Sequence, residues 1–167
     1  MEIQRLSLDE NNTRIAQTCQ RFRDIRLASL QDAPDAFGST FEETAARPPK
    51  IWQQQLRNLP TFIAVVDGVD SGIVRGAPHS NNAKVAYLIS LWVAPNVRGM
   101  GVGAALIDAV IDWATSAGYA QLILDVGNHN AGAIALYTRK GFKPTGQTGH
   151  LPPPREHILE YEMSLDL

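Results

Sequence analysis

Gly99, Gly101 and Gly103 follow Arg98 within five positions and lie between an apolar run at 87–93 and a helix-forming run that reaches Leu106. A strand that turns through glycines into a helix aims free backbone N–H groups and the positive end of the helix dipole at one point, which suits a phosphate. Glycines there remove the side chains that would hold a ligand off the backbone, and Arg98 adds a permanent cation. A glycine-rich turn that binds nothing is the plain alternative, but three glycines in five residues exceed what a turn requires. A second group, Asn130, Ala133 and Tyr137, is spaced by three and seven residues and shares one helix face at about 100° per residue. The ordinary reading of Tyr137 is a core aromatic, and that of Asn130 a helix N-cap.

Both groups need elements to position them. Residues 3–8 alternate like a short strand, and Asn11, Asn12 and Thr13 are N-cap types. Ile15, Cys19, Phe22, Ile25 and Leu30 recur near helical spacing and stop before Pro34. Residues 32–39 read as a loop, and a second helix starts near Phe41 or restarts at Pro49, carrying Ile51, Trp52, Leu56 and Leu59. Residues 61–66 and 71–76 make a hairpin about a turn at 67–70, and a polar loop at 77–82 precedes a long strand at 85–93. After the glycine turn, Leu106, Ile107, Val110, Trp113, Ala114 and Ala117 mark a helical face closed by Gly118. Residues 122–126 read as a strand covered on both faces, 130–140 as a helix closed by Gly141, and 142–148 and 159–165 as strands around a proline-rich loop at 151–154. The layout is an α+β fold, one mixed sheet with crossover helices on its faces.

With 167 residues, 44% hydrophobic and 19% charged, the chain reads as one globular domain with a real core. A net charge of −2 leaves no electrostatic footprint for nucleic acid or an anionic membrane, so phosphate affinity is local to the glycine turn. No apolar run of about 18 residues and no basic-then-apolar leader is present, which predicts a cytoplasmic protein. Cys19 is the only cysteine, so an internal disulfide and a thiolate metal cluster are ruled out. On the apolar stripe of the first helix it reads as a buried structural thiol, with an acyl-carrying nucleophile as the alternative. His79, His129, His150 and His157 lack metal-ligand spacing, and no metal is expected.

Two kinds of phosphate ligand compete for the turn. Gly99, Gly101 and Ala104 can be fitted to a dinucleotide fingerprint, with Asp125 as the ribose-binding acid at a strand end. Against this, residues 95–98 separate the strand from the glycines, whereas the fingerprint places its first glycine directly after the strand. The second reading explains more residues. The segment 93–103 resembles the acyl-CoA signature of the GNAT superfamily of N-acetyltransferases, Arg/Gln-x-x-Gly-x-Gly/Ala, with Arg98, Gly101 and Gly103 at the matching positions. Residues 130–142, with Asn130, Ala133, Tyr137, Gly141 and Phe142, resemble the family's second cofactor segment, and Arg26, Leu27, Leu30, Pro34, Ala36 and Phe37 are similar to a stretch found in some members.

The resemblance implies a mostly antiparallel sheet with splayed central strands, helices on both faces, and residues 1–167 acting as a single acyl-CoA N-acyltransferase domain. It implies acetyl-CoA as co-substrate, its pyrophosphate on the backbone of Arg98, Gly99, Met100, Gly101, Val102, Gly103 and Ala104, and its pantetheine arm between the strands at 88–93 and 122–126, beside Leu91, Trp92 and Val93. Asn130 would then hydrogen-bond the arm and Ala133 leave it room, while Tyr137 would give a proton to the leaving thiolate. Trp92 has a plain core role as its alternative. The acceptor would be a small-molecule or peptide amine, attacked directly in a ternary complex, and a homodimer is compatible with the family.

Many relatives carry a glutamate near the start of the long strand to deprotonate the amine, and here that position is Tyr87; the strand holds no carboxylate. The sequence therefore predicts a proton relayed by water, backbone carbonyls and the hydroxyls of Tyr87 and Ser90. On the acceptor wall, Phe37 and Tyr87 are candidates. Arg26 is a third, able to hold a carboxylate or phosphate of the acceptor, with a surface or interhelix ion pair as its alternative. A non-catalytic acyl-CoA-sensing domain is the competing functional class.

Overall fold

The structure is a computed structural model that describes residues 1–8 and 14–167. Seven strands form one sheet: β1 (Glu2–Leu6), β2 (Thr61–Val66), β3 (Val69–Pro78), β4 (Val85–Val93), β5 (Gln121–Gly127), β6 (Lys143–His150) and β7 (Leu159–Asp166), in the order β1-β2-β3-β4-β5-β7-β6. Every neighbouring pair is antiparallel except β4 and β5. The helices are α1 (Ile15–Asp32), α2 (Phe41–Ala45), α3 (Pro49–Asn58), α4 (Val102–Ser116) and α5 (Ala131–Arg139). The N-cap expected at Asn11, Asn12 and Thr13 lies outside the described residues.

Local chemistry sets the element ends. Asp67 and Gly68 both take positive φ, 50° and 80°, so β2 and β3 are joined by a two-residue turn whose twist matches the strands. The two starts considered for the second helix are both used: Thr40 caps α2 by accepting from the Glu43 N–H at 3.2 Å, and Pro49 opens α3. Gly118, at φ 80°, lets the chain leave α4.

The sheet separates two apolar layers. Ala86, Leu88, Leu122 and Leu124 meet Leu106, Ile107 and Val110 of α4, while Ile63 and Ile73 meet Phe22, Ile25, Leu30 and Trp52 of α1 and α3 on the opposite face. Trp92 belongs to the second layer although its even spacing from Ala86 and Leu88 would put it in the first. The reason is a bulge: Ile73 pairs with Trp92 but Arg75 with Ile89, and Ser90 takes φ 60°. The extra residue turns Leu91 and Val93 toward the α4 layer and Trp92 toward α1.

β4 and β5 pair only at Val85 with Gln121, Ala86 with Leu122 and Tyr87 with Ile123. Beyond Tyr87 they diverge, leaving a cleft in the middle of the sheet and unpaired backbone groups along the inner edges of both strands.

Candidate active site

The glycine turn sits at the mouth of this cleft. Gly99 and Gly101 take φ 79° and 82°, and a Cβ on either would meet nothing within 4 Å, so their hydrogen-only side chains answer to backbone conformation and leave open space in front. Among the described residues, the N–H groups of Gly101, Val102, Gly103 and Ala104 have no partner, whereas Ala105 already donates to the Gly101 carbonyl at 3.1 Å. Orphan amides at the start of a fifteen-residue helix are an anion cradle. Gly103 serves a different purpose: a Cβ there would lie 2.9 Å from Leu136 Cδ2, so its absence lets α4 approach α5. Arg98 is already engaged, ion-paired with Asp32 and donating from Nε to the Val93 carbonyl at 3.0 Å. Asp32 Oδ2 also accepts from Trp92 Nε1 at 2.8 Å.

A cavity of about 720 Å³ runs from this turn along the cleft, walled by Leu91, Trp92, Val93, Ala133 and Leu136, with Arg139 and Lys140 near the turn. A second cavity of about 430 Å³ holds Arg26, Tyr87, Asp125, His129, Tyr137 and Glu160. The two share Ala36, Phe37, Leu91, Asn130 and Ala133, so they adjoin along this common wall.

Asn130 caps α5 through Oδ1, which accepts from the Ala133 N–H at 3.1 Å. The cap uses the carbonyl end of the amide, so its NH2 group stays available to a ligand at the shared wall. Tyr137 stands beyond it with its ring 5.8 Å from that of Phe142. The residue is 6% exposed, and its hydroxyl bonds to no other described residue. It is nevertheless not sealed, because Thr44 Oγ1 is the one fully buried side-chain polar atom without a partner among the described residues. The Tyr137 hydroxyl thus opens on the second cavity, and burial pushes its pKa well above the ordinary tyrosine value, keeping the proton on the oxygen.

The carboxylates absent from β4 come from its neighbours. Gly127 pairs with Glu160 and Asp125 with Glu162, so these four residues and Tyr87, which pairs with Ile123, lie on one face of the sheet. Partial desolvation raises the pKa of both Asp125 and Glu160; repulsion from Glu162 adds to the rise at Asp125 and repulsion from Asp125 to that at Glu160, where Arg155 and His150 oppose it. Tyr87 stacks on His79 at 5.2 Å, and burial followed by Asp125 raises its pKa too.

A sequence profile of the acetyltransferase (GNAT) family matches residues 25–142, most of the chain. The chain belongs to this family. A mycothiol acetyltransferase of Jonesia denitrificans is 36% identical over 161 residues, covering 81% of this chain and 49% of that protein. Human N-acetyltransferase 8 is 41% identical over 65 residues, 39% of this chain and 29% of its own length. The chain therefore spans about half or less of these curated relatives. Among solved structures, a GNAT-family acetyltransferase from Streptococcus pneumoniae superimposes with a TM-score of 0.78 at 19% identity, covering 99% of both chains, which shows the fold.

Measured against GNAT expectations, the splayed, mostly antiparallel sheet with helices on both faces is as the resemblance implied. Leu91, Trp92, Val93, Arg98, Gly99, Gly101, Val102, Gly103, Ala104, Asn130 and Ala133 line the first cavity. Met100 does not: its side chain is 61% exposed and its N–H already donates to the Val97 carbonyl at 3.4 Å, because the turn directs it outward. Asp125 faces the second cavity and not the glycine turn, which removes the ribose partner on which the dinucleotide reading depended. Cys19 is half-buried, and burial raises its thiol pKa, the reverse of what an acyl-carrying nucleophile needs. Arg26, Phe37 and Tyr87 meet in the second cavity, and Arg26 forms no ion pair with any described residue. Sequence reading missed Asp125 as an acceptor-side group, as well as Glu160, Arg155 and Arg139. The alternation of β7 and its pairing with β5 would have been needed to place Glu160, and no local motif carries that.

Proposed function

We propose that this GNAT protein is an acetyl-CoA-dependent N-acetyltransferase acting on a primary amine in a ternary complex. The observation that carries the reading is the pair of adjoining cavities beside the splayed strands: orphan amides of residues 101–104 line one, and a proton-holding tyrosine and two carboxylates line the other. The fit to the co-substrate rests on those amides and on the open space before Gly99 and Gly101. A GNAT protein of Elizabethkingia anophelis with acetyl-CoA bound shares the fold, with a TM-score of 0.58 at 19% identity over 71% of this chain and 82% of that one.

In this reading residues 101–104 hold the pyrophosphate, Arg139 adds charge on the same cavity while Arg98, paired with Asp32, braces the turn, and Asn130 and the edge of β4 hydrogen-bond the amide-rich arm. Acetyl-CoA supplies an acyl thioester. The entering amine is an ammonium at neutral pH and must lose a proton before it attacks. Glu160 and Asp125, whose raised pKa values bring them toward the working range, are placed to take it. Tyr137 gives its hydroxyl proton to the departing sulfur and recovers one from solvent through the cavity.

The test is a thermal melt with acetyl-CoA, NADH and NADPH in parallel, followed by release of free thiol over a panel of amines. Acetyl-CoA at about 100 times its dissociation constant should add roughly 2.7 kcal/mol of stability. Stabilisation by a nicotinamide dinucleotide alone overturns the assignment. Binding without thiol release on any amine reduces the protein to an acyl-CoA-binding domain.

A further inference from the structure

Arg26 is a buried cation without a counter-charge. It is 7% exposed, its guanidinium lies 4.6 Å from the Phe37 ring centroid, and its hydrogen-bond partner is the neutral Ser29 Oγ, reached from Nη1 at 3.3 Å. No described carboxylate pairs with it. Burial, with repulsion from Arg47, lowers its pKa to about 10. Nearby Arg75 is equally buried but better provided for, donating to Thr61 Oγ1 at 3.2 Å, Gln55 Oε1 at 3.3 Å and the Gln55 carbonyl at 3.4 Å, and stacking over Phe22 at 4.8 Å. Of these two buried arginines, only Arg26 lines the second cavity.

A guanidinium largely removed from water and repelled by Arg47 is unfavourable unless an anion meets it. A purely structural contact on Phe37 would be served as well by an apolar side chain, without the charge penalty. The same cavity is also lined by Asp125 of β5 and Glu160 of β7. The chamber thus brings one cation and two carboxylates to the same space of about 430 Å³, the size of a small-molecule site. We propose that the acceptor is a small zwitterion of the amino-acid class, its carboxylate held by Arg26 and its amine presented to Asp125 and Glu160. The fate of the amine rests on the acetyltransferase reading above; the anion site does not.

Thiol release is measured with free amino acids and with their α-carboxamides, and with phosphoethanolamine as an amino phosphate, on the wild type, Arg26→Gln and Arg26→Lys. For the acids that are used, the wild type should prefer the acid over its amide by about tenfold or more in kcat/KM, mainly through KM. Arg26→Gln should erase that preference and Arg26→Lys keep part of it. Near-UV circular dichroism checks that each variant folds; where Arg26→Gln does not, the partial loss in Arg26→Lys decides. Equal use of acid and amide by the wild type, a preference that survives in both variants, or phosphoethanolamine outperforming every carboxylate overturns the proposal. If no amine is turned over, the same acid and amide pairs are followed by ligand-observed NMR. Arg26-dependent binding of acids over amides then upholds the anion site while the transferase reading falls, and its absence overturns the site as well.

Discussion

Arg155 Nη1 donates to the carbonyl oxygen of Phe37 at 2.9 Å, across 118 residues of sequence. The same guanidinium reaches the Pro34 carbonyl through Nη1 and that of Gly38 through Nη2 at 3.1 Å. One side chain from the loop between β6 and β7 therefore fastens the segment after α1, whose Phe37 ring carries Arg26 and lines both cavities. Charge-assisted bonds to three carbonyls order a loop that has little regular structure of its own.

Arg155→Ala should accordingly loosen the acceptor wall before it affects the glycine turn. The expected result is a rise of about tenfold in acceptor KM, with a smaller change in the acetyl-CoA dissociation constant measured by calorimetry. Equal loss on both sides would mean that the strap holds both cavities.

The three glycines of the turn should separate by mechanism. Gly101→Val forces a branched residue to φ 82° at the cradle, costing about 1–3 kcal/mol in strain and abolishing the acetyl-CoA melt shift. Gly103→Ala pushes a methyl to 2.9 Å from Leu136 Cδ2, the movable end of a side chain, so its first effect is a loss of roughly 1 kcal/mol in stability with a melt shift that is only reduced. Melting temperatures with and without acetyl-CoA distinguish the two, and identical behaviour would contradict the division of roles.

Tyr137→Phe removes one oxygen that makes no hydrogen bond to a described residue and leaves the ring contact with Phe142 in place. Folding and acetyl-CoA affinity should hold while kcat falls by about 10²- to 10⁴-fold, the usual share of a general acid. Unchanged turnover would assign protonation of the thiolate to solvent.

Glu160 links rate and stability to pH. Its raised pKa means that the folded protein disfavours the ionised form, so stability drops as pH climbs from the ordinary carboxylate value through the raised one and is level above it. Glu160→Gln lacks that penalty and should melt higher than the wild type at pH 7 to 8, the difference closing toward pH 4. Kinetically, wild-type kcat/KM should level off near neutral pH, where the carboxylate is already ionised. The variant, lacking one of the two carboxylates, should climb by up to about tenfold per unit toward pH 9 with the amine's own ionisation. A wild type that climbs the same way restores the water relay predicted from the sequence of β4.

The half of the candidate site proposed to hold the cofactor was legible because it is local. Gly99 to Gly103 follow one another along the backbone, and Asn130, Ala133 and Tyr137 repeat on one helix, so spacing alone fixes their relation. The helices and most strands were legible for the same reason, through apolar periodicity and their glycine and proline ends. The second cavity was legible only in part: Arg26, Phe37 and Tyr87 were candidates from the sequence, but its carboxylates were not. Asp125 and Glu160 meet only because β7 inserts beside β5, and Trp92 changes face only because a bulge at Ser90 shifts the alternation of β4. Arg26 has the sequence signature of any helical surface arginine; its burial beside Phe37, without a carboxylate, depends on where a loop fastened by Arg155 comes to rest. Contacts within a turn or helix are set by the period of the chain, whereas contacts between distant segments are set by which strands pair and which loops are tied down, and that the linear order does not encode residue by residue.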